Sequence, residues 1–171
     1  MTYMTEARRM IQASAREFSM KEVLPVANKL DPVKGEIPMS LRDQMSQLGY
    51  FGIRIPEQYG GLGLGVFEYV LVTEELARGW MSVASIIARG NGFFGTEAFT
   101  EEQRTAYLGR MARGEILGAA ALSEPDAGSD LASLQTSITE DGDDLVINGS
   151  KIYTTNAHRV EYCWLAGRTD P

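Results

Sequence analysis

Apolar residues recur at helical spacing through the first two thirds of the chain and alternate with polar residues in the last third. An apolar position at every third or fourth residue is typical of a helix with one buried face, whereas alternation is typical of a strand. The pattern predicts helices over residues 5–30 with a bend at Pro25, and over 38–48, 66–79, 83–88 and 100–114. It predicts short antiparallel strands over 116–122, 134–140, 144–148, 150–154 and 162–168.

The change of period near Glu115 divides the chain into two parts. We predict an α+β fold, with an all-α helical domain over 1–115 and the start of an antiparallel β-domain over 116–171. A small sheet without closure leaves an unpaired edge and an uncovered face. We therefore expect the β-domain to be incomplete and more chain to follow Pro171.

Charge and composition exclude several classes of function. The formal net charge of -7, from 16 basic and 23 acidic residues, argues against a surface for nucleic acid or anionic membrane. Cys163 and His158 are the sole cysteine and histidine, which excludes an internal disulfide and a structural zinc site. The N-terminus lacks the pattern of a signal peptide, and no apolar run reaches the length of a membrane span, so we expect a cytoplasmic protein.

Two familiar catalytic motifs do not account for this sequence. The glycine run over residues 60–65 follows a predicted helix and departs from the G-x-G-x-x-G register, so a tight loop is favoured over a dinucleotide site. A serine hydrolase of the α/β class would carry G-x-S-x-G, which the sequence does not contain.

Two polar stretches carry the most chemical information. Residues 121–130, ALSEPDAGSD, leave a predicted strand and present small residues and hydroxyls that can approach and hydrogen-bond a ligand. In the stretch KIYTTN over 151–156, Tyr153 and Thr155 would share one face of a strand and could bracket a planar ring. Taken alone, the first could be a plain connection between a strand and a loop, and the second a solvated strand.

Together these stretches resemble the acyl-CoA dehydrogenase family. That family typically carries T-E-P-x-A-G-S-D and, after a hairpin, N-G-x-K-x-W-I-T-N; this sequence reads SEPDAGSD over 123–130 and NGSKIYTTN over 148–156. The loop IPEQYGG over 55–61 is similar to the family's P-E-x-Y-G-G loop. The resemblance extends over nearly the whole chain, which is less than half of a typical member.

The resemblance implies FAD as cofactor and assigns residues to it. Ser123 stands in place of the usual threonine, Tyr153 in place of tryptophan and Thr154 in place of isoleucine. Gly128 and Ser129 would lie near the FAD pyrophosphate, and Ser129 also near the entering acyl-CoA. The cofactor-binding residues expected on this basis are Ala120, Leu122, Ser123, Gly128, Ser129, Tyr153, Thr154 and Thr155.

The implied reaction is FAD-dependent α,β-dehydrogenation of an acyl-CoA thioester, in fatty acid metabolism. The resemblance places the catalytic base beyond Pro171, so no catalytic residue is assigned and the isolated fragment is expected to be inactive. It also implies electron-transfer flavoprotein as acceptor and a homotetramer for the whole protein. The alternatives are an acyl-CoA oxidase or elimination enzyme of the same fold, or a catalytically silent module that binds acyl-CoA or a partner.

Arg89 is a candidate substrate-binding residue. It falls in a helical region that lines the deep end of the acyl pocket in the resembled family, where a guanidinium could pair with an anionic acyl tail. An ordinary interface or surface arginine is the favoured alternative.

Overall fold

The chain forms two compact units, Met1–Leu117 and Gly118–Pro171. The structure is a computed structural model that describes residues 3–91 and 96–169, and it describes the side chains of neither Arg89 nor Gly90. Within these ranges no helix is long and apolar enough to cross a membrane.

Helices build the first unit, as the periodicity predicts. The described helices are α1 (Glu6–Phe18), α2 (Leu24–Leu30), α3 (Met39–Gln47), α4 (Val66–Gly79), α5 (Met81–Gly90) and α6 (Glu101–Ala112). Their apolar faces meet in a core whose fully buried side chains include Met45, Phe51, Ile53, Leu76 and Met111. A capping box starts the last helix, because Gln103 N–H donates to Thr100 Oγ1 at 3.2 Å and Thr100 N–H donates to Gln103 Oε1 at 2.9 Å.

The predicted bend near Pro25 takes the form of a π-helical segment, Ser19–Val23, between α1 and α2. Proline has no N–H and cannot donate to the carbonyl one turn before it, so a regular helix cannot continue through that position. Because α2 begins at Leu24, Pro25 sits in a first helical turn, where the missing N–H is not needed.

A buried carboxylate ties α1 to α4. Glu75 is fully buried and accepts hydrogen bonds from Arg16 Nη2 at 2.8 Å and from Gln12 Nε2 at 3.0 Å. The Arg16 guanidinium lowers the pKa of Glu75 below its ordinary value. The carboxylate therefore stays ionised at neutral pH and holds the two helices together.

The second unit contains β1 (Gly118–Ala121), β2 (Ser137–Asp141), β3 (Asp144–Asn148) and β4 (Tyr162–Leu165). Strands β2 and β3 form the predicted antiparallel hairpin, whose two-residue turn uses Gly142 at φ +67°. Strands β1 and β4 pair in parallel, so the antiparallel prediction is wrong for them. Gly118 makes this pairing possible, because a Cβ there would lie 2.2 Å from the Tyr162 ring.

The strand predicted over residues 150–154 does not form. Tyr153 adopts a left-handed backbone with φ +57°, as does Asn156 with φ +60°, and neither conformation continues an extended strand. The expectation that Tyr153 and Thr155 share one strand face is therefore wrong. Instead of joining a ladder, the Ile152 N–H donates across to the loop that follows β1.

Candidate functional site

The first polar segment is a folded loop that leaves β1. Glu124 and Ala127 exchange backbone hydrogen bonds of 2.8 and 3.3 Å, which closes a tight turn over Pro125 and Asp126. Asp130 Oδ1 then accepts from Ala132 N–H at 3.2 Å and starts a short 3₁₀ turn. Gly128 and Ser129 lie exposed between these two fixed points.

The second polar segment lies directly beside the first. The Ile152 N–H donates to the Ser123 carbonyl at 2.9 Å. The Lys151 ammonium donates to the Leu122 carbonyl at 3.1 Å and to Glu124 Oε1 at 2.7 Å. The sequence motifs that lie some 25 positions apart along the chain are thus joined at residues 122–124 and 151–152.

Glu124 is the centre of this junction. Its side chain is 4% exposed and accepts from Lys151 Nζ, from Thr136 Oγ1 at 2.5 Å and N–H at 3.0 Å, and from Gln135 N–H at 2.7 Å. The Lys151 ammonium, followed by the Thr136 hydroxyl and the Gln135 amide, lowers the pKa of Glu124 to about 2. Glu124 is therefore a carboxylate at neutral pH and is fully engaged within the protein, so it is not available as a general base.

Two glycines in these segments have opposite surroundings. A Cβ at Gly149 would lie 2.3 Å from Thr136 Oγ1 and 2.7 Å from Thr136 Cα, so only glycine fits against the residue that holds Glu124. A Cβ at Gly128 would meet no atom within 4 Å. Gly149 therefore serves the packing of the junction, whereas Gly128 borders open space.

The residues expected to contact a cofactor surround this junction. Ala120 lies in β1 opposite Trp164, and Leu122, Ser123 and Thr154 are half-buried. Tyr153 is 88% exposed on its left-handed backbone, and Thr155 is also exposed. The side chain of Arg89, the candidate for substrate binding, lies outside the described residues.

These groups fit a planar ligand that carries hydrogen-bond acceptors. Neither the N–H nor the hydroxyl of Ser123 is used by a hydrogen bond among the described residues, and Ser123 as a whole is half-buried. The open space beside Gly128 and the exposed hydroxyls of Ser129 and Thr155 provide room and further donors. Within residues 3–91 and 96–169, no group of three acidic, cysteine or histidine side chains could hold a metal ion.

Sequence reasoning missed the ion pair that joins the segments. Glu124 and Lys151 both stand inside the motifs, yet nothing in their spacing indicates a mutual contact. The available signal was the presence of a charged residue of each sign within stretches otherwise made of small and hydroxyl residues. Such charges are buried only when paired.

The fold and the junction define a helical unit followed by a β unit with two joined polar segments, and comparison with known proteins identifies the family. The N-terminal domain of acyl-CoA dehydrogenase matches residues 5–115, and the middle domain of acyl-CoA dehydrogenase matches residues 119–171. The chain belongs to the acyl-CoA dehydrogenase family.

Individual relatives agree with this assignment. (2S)-Methylsuccinyl-CoA dehydrogenase of Cereibacter sphaeroides is 38% identical over 96% of this chain and 30% of its own length. A glutaryl-CoA dehydrogenase of Mycobacterium smegmatis, solved in complex with FADH2, is 28% identical with a TM-score of 0.87, over 98% of this chain and 44% of the matched one. A chain from structural work on the electron transferring flavoprotein of Acidaminococcus fermentans is 35% identical with a TM-score of 0.88. The match covers 99% of this chain and 46% of the matched one. The chain thus spans less than half the length of these relatives.

Proposed function

We propose that this chain supplies the flavin-binding face of an FAD-dependent acyl-CoA dehydrogenase. The observation that carries the proposal is the junction of the two polar segments, in which Ile152 N–H bonds to the Ser123 carbonyl and Lys151 bonds to the Leu122 carbonyl. The junction gathers accessible donors, open space and an exposed aromatic ring in one small region. A redox cofactor with a flat, polar ring system requires such a combination.

Specific roles follow for the accessible groups. Ser123 would donate its hydroxyl and N–H to the isoalloxazine ring, with the backbone of Ala120 and Leu122 at the ring edge. Gly128 and Ser129 would hold the pyrophosphate, and Ser129 would also meet the acyl-CoA. Tyr153, Thr154 and Thr155 would flank the reactive edge of the ring.

When bound, FAD would supply the two-electron oxidation of the acyl thioester, and the α-proton would go to a carboxylate. The residues of this chain bind and orient. Glu124 is committed to Lys151, so we assign it no proton transfer. We assign the catalytic base to no residue of this chain, and the isolated chain should bind the cofactor without turnover.

Ser123 provides the sharpest test of the flavin assignment. We expect the chain to bind FAD and to quench its fluorescence, and Ser123→Ala to weaken the affinity by roughly 5–10-fold, the equivalent of about one lost hydrogen bond. Ser123→Thr retains the hydroxyl and serves as the matched control. Equal FAD affinities for the parent chain, Ser123→Ala and Ser123→Thr, or no FAD binding by the parent chain, would refute the flavin assignment.

Acyl-CoA is the proposed substrate class, and electron-transfer flavoprotein the proposed acceptor. Relatives of this chain include enzymes that act on methylsuccinyl-CoA and glutaryl-CoA, which supports the thioester. An acyl-CoA added to the flavin-loaded whole protein should bleach the flavin absorbance, and slow reoxidation of the reduced protein by oxygen would favour a dehydrogenase over an oxidase. Bleaching would also exclude the silent module. We further propose a cytoplasmic homotetramer for the whole protein.

An apolar pocket in the helical unit supports docking of a protein acceptor. The pocket has a volume of about 250 Å³ and is open to the surface. Its rim exposes Met10, Leu48, Leu62 and Leu64 by 67, 41, 42 and 37% respectively. Exposed apolar residues clustered around a pocket are typical of a protein interaction site. The lining residues are Met10, Ile11, Ser14, Leu48, Tyr50, Ile53, Leu62, Leu64, Glu68 and Val72.

Charge placed at this pocket should impair electron transfer without affecting the flavin. In the flavin-loaded whole protein, we expect Leu64→Glu to lower the rate of electron transfer to electron-transfer flavoprotein at least tenfold, since an apolar contact would be replaced by a desolvated charge. The control is Val33→Glu, which alters an apolar residue that is 71% exposed and does not line the pocket. Both variants should bind FAD equally, and equal rates with the acceptor would contradict the docking site.

A further inference from the structure

Lys151 and Glu124 form an unusual ion pair for this chain. Their Nζ and Oε1 atoms are 2.7 Å apart, and their side chains are 9 and 4% exposed. By contrast, the pairs Arg8–Glu68, Arg16–Glu75 and Lys21–Glu17 each have at least one side chain that is 26% or more exposed. Removing both charges from water is costly, and such a pair persists only where further hydrogen bonds satisfy both groups.

The further hydrogen bonds bring three separate segments to one point. Glu124 accepts from the backbone at Gln135 and Thr136, and Lys151 donates to the carbonyl of Leu122. The pair therefore connects the loop after β1, the chain that enters β2, and the segment after β3. Few apolar side chains are buried in the described part of the second unit.

The position of the Leu122 carbonyl gives the pair a role beyond stability. The Leu122 carbonyl and the Ser123 N–H belong to the same peptide group, so the Lys151 ammonium lies on the far side of the donor proposed to face the ring. A cation hydrogen-bonded to the carbonyl draws electron density from the peptide and strengthens donation by its N–H. Lys151 is also the first residue of the segment that carries Tyr153 and Thr155.

We infer that Lys151 is a positioning residue for flavin binding, which holds the Leu122–Ser123 peptide and the 151–156 segment in the arrangement that a single ring can contact. The inference rests on the proposed function. It assigns to Lys151 no contact with the cofactor; the ammonium acts through the peptide that it holds.

The test compares Lys151→Met, Lys151→Arg and Lys21→Met in the 171-residue chain. Methionine keeps an unbranched apolar stem without the charge or the donors, and arginine keeps both the charge and the donors. Lys21 is the matched control, because its Nζ lies 2.6 Å from Glu17 Oε1 in an ion pair whose side chains are 68 and 64% exposed. FAD affinity is measured by fluorescence quenching at a temperature at which far-ultraviolet circular dichroism shows every variant folded.

We expect Lys151→Met to weaken FAD affinity roughly tenfold or more, the lower end of what residues that orient ligand groups contribute in metal sites. Lys151→Arg should bind more tightly than Lys151→Met, and Lys21→Met should match the parent chain. Without FAD, the amide of Ile152 should exchange faster in Lys151→Met, because its acceptor on Ser123 is no longer held, while helical amides stay protected.

Each result has one meaning. Lower thermal stability of Lys151→Met with unchanged FAD affinity would overturn the inference and leave only a structural role for the lysine. Equal Ile152 exchange in Lys151→Met and the parent chain would overturn it as well. Failure of the parent chain to bind FAD would instead remove the proposed function, and this inference with it.

Discussion

The two units of this chain differ in the interactions that stabilise each of them internally. In the helical unit, large apolar side chains such as Phe51, Ile53 and Leu76 are fully buried. In the described part of the β unit, the buried apolar residues are Ala119, Ala121, Ala127 and Leu134, and the buried polar residues are Glu124 and Thr136. Apolar residues on β3 remain largely exposed, with Leu145 at 65% and Ile147 at 52%.

This contrast explains where ligand chemistry is located. Apolar burial is non-directional, whereas hydrogen bonds to a buried ion pair fix donors and acceptors within narrow limits of distance and angle. The helical unit has a large apolar core, to which the contact of Arg16 and Gln12 with the buried Glu75 adds. The β unit depends on one network centred on Glu124, and the same network sets the positions of the residues proposed to bind flavin.

Removal of a large core side chain should have the largest effect on the free energy of unfolding, and this effect should be confined to the helical unit. We expect Phe51→Ala to lower the free energy of unfolding by about 3–5 kcal/mol, because it removes a buried ring and leaves a cavity. Urea unfolding followed by the helical circular dichroism signal measures this loss. Val70→Ala, at a residue that is 51% exposed, is the control, and an equal loss in both variants would contradict an apolar core at Phe51.

The two motif glycines should respond in opposite ways to alanine. Gly149→Ala forces a methyl group against Thr136 and should destabilise the β unit by about 1–3 kcal/mol. Gly128→Ala places its methyl group in open space and should leave the fold unchanged. Hydrogen exchange at the Ile138 and Ala166 amides, which bond to Arg168 and Ala121, reports on the unit. Similar exchange in the two variants would show that the junction is not tightly packed.

Acid should weaken the β unit through Glu124. Because the folded pKa of Glu124 is lowered to about 2, the stabilisation is complete above the ordinary carboxyl pKa of 4.5 and is lost as the pH falls from there through the folded value. The difference in Thr136 amide protection between the parent chain and Glu124→Gln should therefore shrink between pH 4.5 and 2. A difference that stays constant over this range would exclude the ionised pair as its source.

Much of this arrangement could be predicted from the sequence, and the errors have physical causes. Helices such as α4 and the hairpin of β2 and β3 follow from local periodicity and turn residues, which act over a few positions. The strand expected over 150–154 fails because β-branched and aromatic residues favour strands only where a partner strand is available. Here the left-handed backbone of Tyr153 and the hydrogen bonds from Lys151 and Ile152 to the loop after β1 take the place of strand pairing.

The partner of a buried charge is a further property that local sequence does not specify. Lys151 and Glu124 are separated by a hairpin and meet only because the chain returns to the end of β1. The parallel pairing of β1 with β4 has the same origin, since it depends on the path of the whole segment between them. The two motifs are recognisable in the sequence, whereas the contact between them depends on the fold.

Titration of the isotopically labelled chain with FAD, followed by amide chemical shifts, tests the central claim most directly. We predict that the largest chemical-shift changes fall within residues 120–130 and 151–156, with Ser123 and Thr155 responding together at the same FAD concentration. Changes restricted to the helical unit, or changes in one polar segment without the other, would contradict a shared flavin-binding surface.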